Sequence, residues 1–249
     1  MISLLSIASI ADARHLRTDE IGLRPITTEE FEHLFKLFDA FWVYQGEPRS
    51  AAPHAITREG KCTNGFINCM AVLEYANLCE LLAKQLLFRL AEANRHLPAI
   101  DLVVDASYSG TDLGQNVALH IMPYSARHRT VEKDSDGNPT KFRGTIDPDE
   151  RILLVNELMT TASGSAQMAK DAVIKAGAKP EQFVPYALIM VNRSADAETM
   201  ADGTKVISLA RYHLKTFEPG SDTCPYCAVG SPSYKPKEGT NWRDYFSGS

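Results

Sequence analysis

The chain has 249 residues, enough for one or two domains whose core needs no disulfide bonds. Hydrophobic residues make up 44% and charged residues 23% of the sequence, which is typical of a globular protein and excludes disorder. The net charge of −5 argues against a nucleic-acid binder, and no stretch suits a membrane span, which needs about 20 uncharged residues. Five cysteines exclude a fully paired disulfide scaffold and predict a reducing, cytoplasmic location.

The N-terminal part of the chain is predicted to be mostly helical. Residues 1–11 are apolar but lack a basic segment, so we expect a buried segment and not a secretion signal. Residues 27–44 carry apolar side chains at helical spacing behind a capping box of Thr27 and Glu30, which predicts a helix. The stretches that follow are predicted to be a short strand around 54–57, a strand at 65–73 and a long helix at 74–96.

From residue 100 onward, apolar strands alternate with helices. The predicted strands are 100–105, 152–155, 183–191 and, at an edge, 205–212. One short predicted helix ends near residue 120 and a second spans 166–176. The polar stretch 123–150 is expected to be a long loop or a flexible hairpin. This order predicts an α/β fold with a parallel sheet covered by helices on both faces. A ligand would then lie at the carboxyl ends of the strands.

The turn after the predicted strand 152–155 has the residue types of a phosphate site. Its polar and small residues are Asn156, Glu157, Thr160, Thr161, Ser163 and Gly164. Hydroxyl groups donate hydrogen bonds, glycine lets the backbone approach closely, and the N-terminus of the following helix favours an anion. A phosphate site is therefore predicted, with ordinary Ser/Thr capping of a strand-to-helix turn as the alternative.

This turn and a second one, after the predicted strand 100–105, resemble motifs of a known family. Residues 151–165, which begin Arg-Ile-Leu-Leu-Val-Asn-Glu and continue to Thr-Thr-Ala-Ser-Gly-Ser, resemble the phosphoribosyl-pyrophosphate (PRPP) signature of type I phosphoribosyltransferases. Residues 105–113, Asp-Ala-Ser-Tyr-Ser-Gly-Thr-Asp-Leu, resemble the pyrophosphate loop of that family. Upstream, residues 54–61 and 65–68 resemble the start of the orotate phosphoribosyltransferases, in which a Ser-Gly-Lys turn precedes a strand of the base-binding hood.

The resemblance covers roughly residues 50–215 and implies an organisation as well as a fold. It implies a Rossmann-like, type I phosphoribosyltransferase core at 74–215, an N-terminal hood region at 1–73 and a C-terminal appendage at 216–249. The polar stretch 123–150 takes the place of a mobile catalytic loop. Members of the family are commonly homodimers.

The resemblance also implies the activity and the residues that carry it. The protein would transfer a phosphoribosyl group from PRPP to a nitrogenous base, orotate first of all, with Mg²⁺ as cofactor. The implied catalytic residues are Glu157, Lys133 and Arg129, and the implied base contact is Phe66. The implied PRPP contacts are Asn156, Thr160, Thr161, Ala162, Ser163, Gly164, Ser165, Tyr108, Ser109, Gly110 and Lys61.

Several positions depart from the family pattern. Asn156 stands where an acid is usual, Ala162 where glycine is usual and Ser109 where the orotate branch has lysine. The loop histidine expected before Gly137 is missing. These departures keep two alternatives open: a catalytically degenerate PRPP- or nucleotide-binding regulator of the same fold, and a phosphoribosyltransferase with a different acceptor base.

The Cys224-Pro-Tyr-Cys227 pair lies in the appendage and has three readings. It could contribute to a zinc site, for which Cys62, Cys69, Cys79 or a histidine would have to supply the missing ligands from far along the chain. It could be a redox pair, although Pro225 and the nearby glycines favour a turn. It could also be purely structural.

Overall fold

The computed structural model describes residues 2–22, 24–57, 60–106, 110–194, 197–236 and 246. Its α-helices are α1 (Ile10–His15), α2 (Thr18–Ile21), α3 (Thr28–Leu37), α4 (Met70–Leu73), α5 (Ala76–Ala93), α6 (Thr111–His120), α7 (Ser165–Lys175) and α8 (Pro225–Ala228). Its strands are β1 (Phe41–Val43), β2 (His54–Ile56), β3 (Cys62–Thr63), β4 (Gly65–Ile67), β5 (Leu102–Asp105), β6 (Arg127–Thr130), β7 (Glu132–Lys133), β8 (Pro139–Lys141), β9 (Ile152–Met159), β10 (Phe183–Asn192), β11 (Lys205–Arg211), β12 (Thr216–Phe217) and β13 (Ser233–Tyr234).

The chain divides into two compact units, each made of two segments. The first unit comprises Met1–Leu34 and Cys69–Tyr212, and the second comprises Phe35–Asn68 and His213–Ser249. The second unit thus combines part of the predicted hood with the predicted appendage. The functional boundaries expected at residues 73 and 215 stay a prediction.

The first unit is built on a five-stranded sheet in the order β11-β10-β9-β5-β6. Every neighbouring pair is parallel, with Leu102 opposite Ile152 and Ala187 opposite Leu154. The predicted parallel sheet is therefore confirmed. Because all strands run the same way, Asp105 at the end of β5 and Met159 at the end of β9 lie at one edge, the carboxyl edge.

Helices cover the buried strands of this sheet. Alternate side chains of the central strands, such as Leu102 and Leu154, share a core with the alanine-rich face of α7, including Ala169 and Val173. The intervening residues, such as Val103, are also fully buried. Helices α5 and α6 pack on each other, and both contact strands of the sheet. Burial on both faces explains why these strands are continuous apolar runs.

Only part of the apolar N-terminal stretch is buried. Leu4 and Ile7 are buried, whereas Ile2 and Leu5 are exposed. Glu30, itself buried, ties this stretch to the first unit by accepting hydrogen bonds from the Ser3 hydroxyl at 2.6 Å and from the Leu4 N–H at 3.0 Å. None of the helices within the described residues combines the length and apolar character needed to cross a membrane.

The second unit has its own small sheets and an aromatic core. A four-stranded sheet has the order β12-β3-β2-β13, and β1 pairs with β4 in an antiparallel ribbon. Trp42, Tyr44 and Tyr226 are buried in its core together with Cys62 and Cys224. Phe66, Phe217 and Tyr234 pack against this core.

Three predicted elements have the wrong extent or type. The helix predicted at 27–44 ends at Leu37, because Asp39 adopts a left-handed φ of 49° and the chain then enters β1. The strand predicted at 65–73 is only β4, and it is followed by α4. The strand predicted at 152–155 continues to Met159, which places Asn156 and Glu157 inside β9 instead of in the turn.

Candidate active site at the carboxyl edge of the sheet

The turn between β9 and α7 presents hydroxyl groups in front of a helix N-terminus. Thr160, Thr161 and Ser163 are exposed, and α7 begins at Ser165 with Gly164 as its N-cap. A glycine supplies no capping side chain, so the first N–H groups of α7 depend on other acceptors. This local arrangement suits an anion such as a phosphate.

Gly164 is needed for the close packing of this turn. Its N–H donates to the Thr161 carbonyl over 3.1 Å, and its φ of −73° is one that any residue adopts. A Cβ atom at this position would lie 3.1 Å from the Thr161 carbonyl oxygen, 3.2 Å from Thr161 Oγ1 and 3.8 Å from Thr160 Oγ1. The glycine thus keeps the space between the backbone and the threonine hydroxyls open. The Ala201 N–H also fixes the turn by donating to the Ala162 carbonyl at 3.0 Å.

Asn156 is buried next to the turn and stabilises it through hydrogen bonds. Its Nδ2 donates to Ser165 Oγ at 2.9 Å and to the Leu158 carbonyl at 3.0 Å, and the carbonyl contact fixes the orientation of the amide. The opposite amide atom, Oδ1, is buried and has no hydrogen-bond partner among the described residues. Buried acceptors are usually hydrogen-bonded, so a hydrogen-bond donor such as a ligand hydroxyl would satisfy this oxygen.

Glu157 follows Asn156 in β9 and is half-buried. Successive side chains of a strand face opposite sides, so these two residues do not share one face of the sheet. Asn156 is directed toward α7, as its bond to Ser165 shows. The implied roles of Asn156 as a PRPP contact and of Glu157 as a catalytic residue stay predictions.

The second predicted turn follows β5, and its central part, including Tyr108 and Ser109, lies outside the described residues. Gly110 is described; it is buried and forms the N-cap of α6. The contributions of all three residues to a pyrophosphate loop stay predictions.

A buried pair beside this turn was not predicted. Asp105 Oδ2 accepts hydrogen bonds from His128 Nε2 and, over 3.0 Å, from Thr130 Oγ1. Asp105 Oδ1 is buried without a partner among the described residues. A Cβ on Gly114 would lie 2.7 Å from His128 Nε2 and 2.8 Å from Asp105 Oδ2, so only glycine lets α6 pack this closely on the pair. The available sequence signal is an acid directly after the three apolar strand residues 102–104.

The basic residues expected in a mobile loop lie in regular structure. Arg129 is exposed on β6, the edge strand of the main sheet, and its Nη1 reaches the His128 carbonyl at 3.4 Å. Lys133 is exposed on β7, which pairs with β8. The hairpin form expected for 123–150 is thus confirmed for β7 and β8, while the catalytic roles of Arg129 and Lys133 stay predictions.

Lys61 and Phe66 belong to the second unit. Lys61 is exposed in the turn between β2 and β3, where its Nζ lies 2.7 Å from Glu218 Oε1. Phe66 stacks on Trp42 with ring centroids 6.0 Å apart and meets Phe246 edge-on at 5.6 Å. Phe66 therefore serves the aromatic core of its own unit, and its role as a base contact stays a prediction.

Cys224 and Cys227 lie beside two further residues with metal-binding side chains, His54 and Cys62. The four potential ligand atoms are all within 4.8 Å of one another. Burial raises the pKa of the Cys62 thiol to about 12 and lowers the pKa of His54. Cys69 and Cys79, which the sequence also offered as partners, are buried in the first unit.

The chain is similar to proteins of known name over most of its length. No family model matches it. An orotate phosphoribosyltransferase of Pelotomaculum thermopropionicum is 28% identical over 195 residues, covering 78% of this chain and 93% of the relative. One of Nitratiruptor sp. is 28% identical over 191 residues, covering 74% of this chain and 90% of the relative.

Solved structures agree with this relationship at the level of the fold. The orotate phosphoribosyltransferase of Aeropyrum pernix superposes with a TM-score of 0.51 at 17% identity, covering 72% of this chain and 91% of that one. The chain has the type I phosphoribosyltransferase fold and is related to the orotate phosphoribosyltransferases. The UMP synthase of Leishmania donovani superposes with a TM-score of 0.53 at 13% identity. The superposed region spans 74% of this phosphoribosyltransferase-like chain and 36% of the Leishmania chain.

Proposed function

We propose that the protein is a phosphoribosyltransferase that transfers the phosphoribosyl group of PRPP to a nitrogenous base, and that orotate is this base. The observation that carries the proposal is the Thr160–Gly164 turn, whose exposed hydroxyls precede the N-terminus of α7 at the carboxyl edge of a parallel sheet. This is the position where α/β sheets bind ligands. The relationship to orotate phosphoribosyltransferases along 78% of the chain gives the reaction class.

The 5′-phosphate of PRPP would bind at this turn. The unpaired N–H groups at the start of α7 and the hydroxyls of Thr160, Thr161 and Ser163 are suitable donors. Gly164 keeps room for phosphate oxygens close to the backbone. Asn156 and Ser165 support the turn through their mutual hydrogen bond.

The reaction breaks the bond between the anomeric carbon and the pyrophosphate oxygen, and a base nitrogen attacks that carbon. Positive charge develops on the ribose ring while pyrophosphate leaves as an anion. In this proposal Glu157 contacts the ribose hydroxyls near the positive charge, and Lys133 or Arg129 neutralises the leaving pyrophosphate. Positioning and electrostatic stabilisation would account for most of the rate.

The site fits a magnesium ion that is bound mainly through the substrate. The described residues at this edge contain no group of three or more clustered acidic, histidine or cysteine ligands. Mg²⁺ commonly takes one or two protein oxygens together with substrate phosphates. The half-buried carboxylate of Glu157 is an oxygen ligand at this edge that could hold it. When bound, the ion would neutralise charge on pyrophosphate.

We also propose that the protein is a homodimer in a reducing, cytoplasmic environment. Leu119, Met122 and Tyr124 expose 55%, 78% and 54% of their surface within a short stretch, which is suitable for a subunit contact. All five cysteines are free thiols. Light scattering at micromolar concentration would test the dimer, and a monomer there would refute it.

PRPP consumption tests the proposed function. The full chain is incubated with PRPP, magnesium and orotate, and pyrophosphate release and loss of orotate absorbance are followed; a panel of other bases is assayed in parallel. Turnover with orotate supports the proposal. Turnover only with another base would replace the acceptor, and PRPP binding without turnover on any base would indicate a catalytically degenerate regulator.

A further inference from the structure

The second unit contains a cluster of one histidine and three cysteines. His54 Nε2 lies 3.3 Å from Cys62 Sγ and 3.8 Å from Cys227 Sγ, and the two sulfurs are 3.6 Å apart. Cys224 Sγ completes the group within 4.8 Å of the others. A tetrahedral zinc ion with bonds of ~2.3 Å to sulfur and ~2.0 Å to nitrogen holds its ligand atoms about 3.5–3.8 Å apart. The observed spacing is therefore close to that of a zinc coordination shell.

Regular structure positions all four side chains. His54 begins β2 and Cys62 begins β3, and these strands pair in an antiparallel hairpin. Cys224 is the N-cap of α8, and Cys227 lies in its single turn. The parallel pairing of β13 with β2, with Ser233 opposite His54, brings the C-terminal segment to the hairpin. The ligand atoms thus come together through backbone pairing.

The hydrogen bonds of His54 direct a lone pair toward the sulfurs. The Ser231 hydroxyl donates its single proton to the Ala52 carbonyl at 2.6 Å. The same hydroxyl oxygen lies 2.9 Å from His54 Nδ1 and must therefore accept a hydrogen bond from it. The proton of the neutral ring is then on Nδ1, and Nε2 carries the lone pair. Metal-binding histidines are typically held in this way by a second group.

The chemistry of the donors favours zinc over harder cations. Three thiolates and one imidazole are soft and borderline ligands, which suit Zn²⁺, whereas Mg²⁺ and Ca²⁺ prefer oxygen. A Cys₃His set fills all four tetrahedral positions and leaves none for a substrate, as in structural sites. His54, Cys62 and Cys224 are almost completely buried, and Cys227 is partly accessible. Three of the donors are therefore shielded from solvent.

We propose that this protein binds one structural Zn²⁺ ion through His54 Nε2 and the sulfurs of Cys62, Cys224 and Cys227. The ion joins the β2–β3 hairpin to the α8 turn. Its ligands Cys62 and Cys227 are 165 residues apart in the sequence. It stabilises the second unit and takes no part in phosphoribosyl transfer. The site does not depend on the proposed activity.

Metal analysis of the full chain tests the proposal. The protein is purified with a reductant, loaded with zinc, freed of loose metal and measured by elemental analysis together with a thiol count. We expect about one zinc ion per chain. Less than about a tenth of that amount, or a disulfide within the cluster under these conditions, would overturn the proposal.

Two variants separate the cluster from the other thiols. Cys227→Ser should lose its zinc to a chelator concentration at which the wild type keeps it, because losing a ligand weakens affinity by at least roughly 10- to 100-fold. Cys79→Ser is the matched control, since Cys79 is a buried free thiol in α5 outside the cluster. Equal zinc loss in both variants would refute the assignment.

Cobalt substitution gives a readout that needs no variant. In the wild-type chain, Co²⁺ should produce the visible bands of tetrahedral coordination and a near-ultraviolet band from sulfur-to-metal charge transfer. Zinc should displace both. A spectrum of octahedral Co²⁺ without the charge-transfer band would show that the thiolates are not ligands and would overturn the proposal.

Discussion

The Gly164→Ala substitution probes the phosphate turn without disturbing the fold. The new Cβ would lie 3.1 Å from the Thr161 carbonyl oxygen and 3.2 Å from Thr161 Oγ1, closer than ordinary contacts, so the turn must shift by a few tenths of an ångström. The backbone itself tolerates alanine, because φ is −73°. Replacing glycine in an allowed conformation also stabilises a chain by roughly 0.4–1 kcal/mol through the unfolded state.

The expected functional effect follows from the hydrogen bonds to phosphate. Each bond to a charged group contributes about 1.5–3 kcal/mol, and losing one corresponds to a roughly 10- to 100-fold weaker interaction. We therefore expect the KM for PRPP to rise roughly 10-fold or more in Gly164→Ala, with the KM for orotate and the urea midpoint little changed. Initial rates at varied PRPP and saturating orotate measure this effect.

Gly177→Ala is the matched control, because Gly177 lies at the opposite end of α7. Its φ is 118° and no atom lies within 4 Å of a Cβ placed there. Strain should cost about 1–2 kcal/mol of stability, whereas the KM for PRPP should stay unchanged. An unchanged KM for PRPP in active Gly164→Ala, or the same rise in both variants, would refute the assignment of the turn to phosphate binding.

Three further predictions concern catalysis, stability and the second unit. Glu157→Gln should lower kcat/KM with orotate by roughly 100-fold or more while unfolding stays two-state with the same midpoint, and undiminished turnover would contradict its role. The Arg24 guanidinium, which donates to Glu30, lowers the pKa of that carboxyl from 4.5 to about 2. This lowered pKa corresponds to about 3 kcal/mol of stability above pH 4.5 that is lost as the pH falls toward 2, so urea titrations should show a steeper loss of stability with acid in the wild type than in Glu30→Gln, and equal slopes would contradict the assignment. Lys61→Gln should raise the KM for PRPP about 10-fold. Glu218→Gln removes only the ion-pair partner of Lys61 and should leave this KM unchanged. Equal effects of the two substitutions would show that Lys61 has a structural role.

The parallel sheet was predictable because its strands are buried on both faces. Residues 102–104 and 183–191 are continuous apolar runs, and such runs bounded by polar residues have few other stable arrangements. The end of β9 is not predictable in this way. The polar residues Asn156 and Glu157 predict a turn, although parallel pairing with β10 continues to Met159 opposite Asn192.

The error at β1 shows how local spacing can mislead. Phe38 and Trp42 continue the helical spacing of the apolar residues in α3, so the pattern alone favours one long helix. The left-handed conformation of Asp39 ends this continuity, and Trp42 then packs on Phe66 across the β1–β4 ribbon. The apolar spacing is compatible with a longer helix and with the observed helix followed by β1, and pairing of β1 with β4 decides between them.

The site was predictable only where its residues are neighbours in sequence. The turn after β9 and the start of α7 form one continuous motif, which the sequence displays directly. Asp105 meets His128 from a different strand, and His54 meets Cys227 from 173 residues away. Spacing along a single sequence carries no information about such encounters, because they depend on strand order and pairing.

The two-segment construction of the second unit has a consequence for biosynthesis. Cys62 emerges from the ribosome 165 residues before Cys227, with which it packs in the finished protein. At about 5–20 residues per second, the Cys62 thiol waits roughly 10–30 seconds for its partner. During that time the β2–β3 hairpin lacks β12 and β13, both of which come from the later segment. The synthesis of this later segment therefore sets the moment at which the early hairpin can be completed.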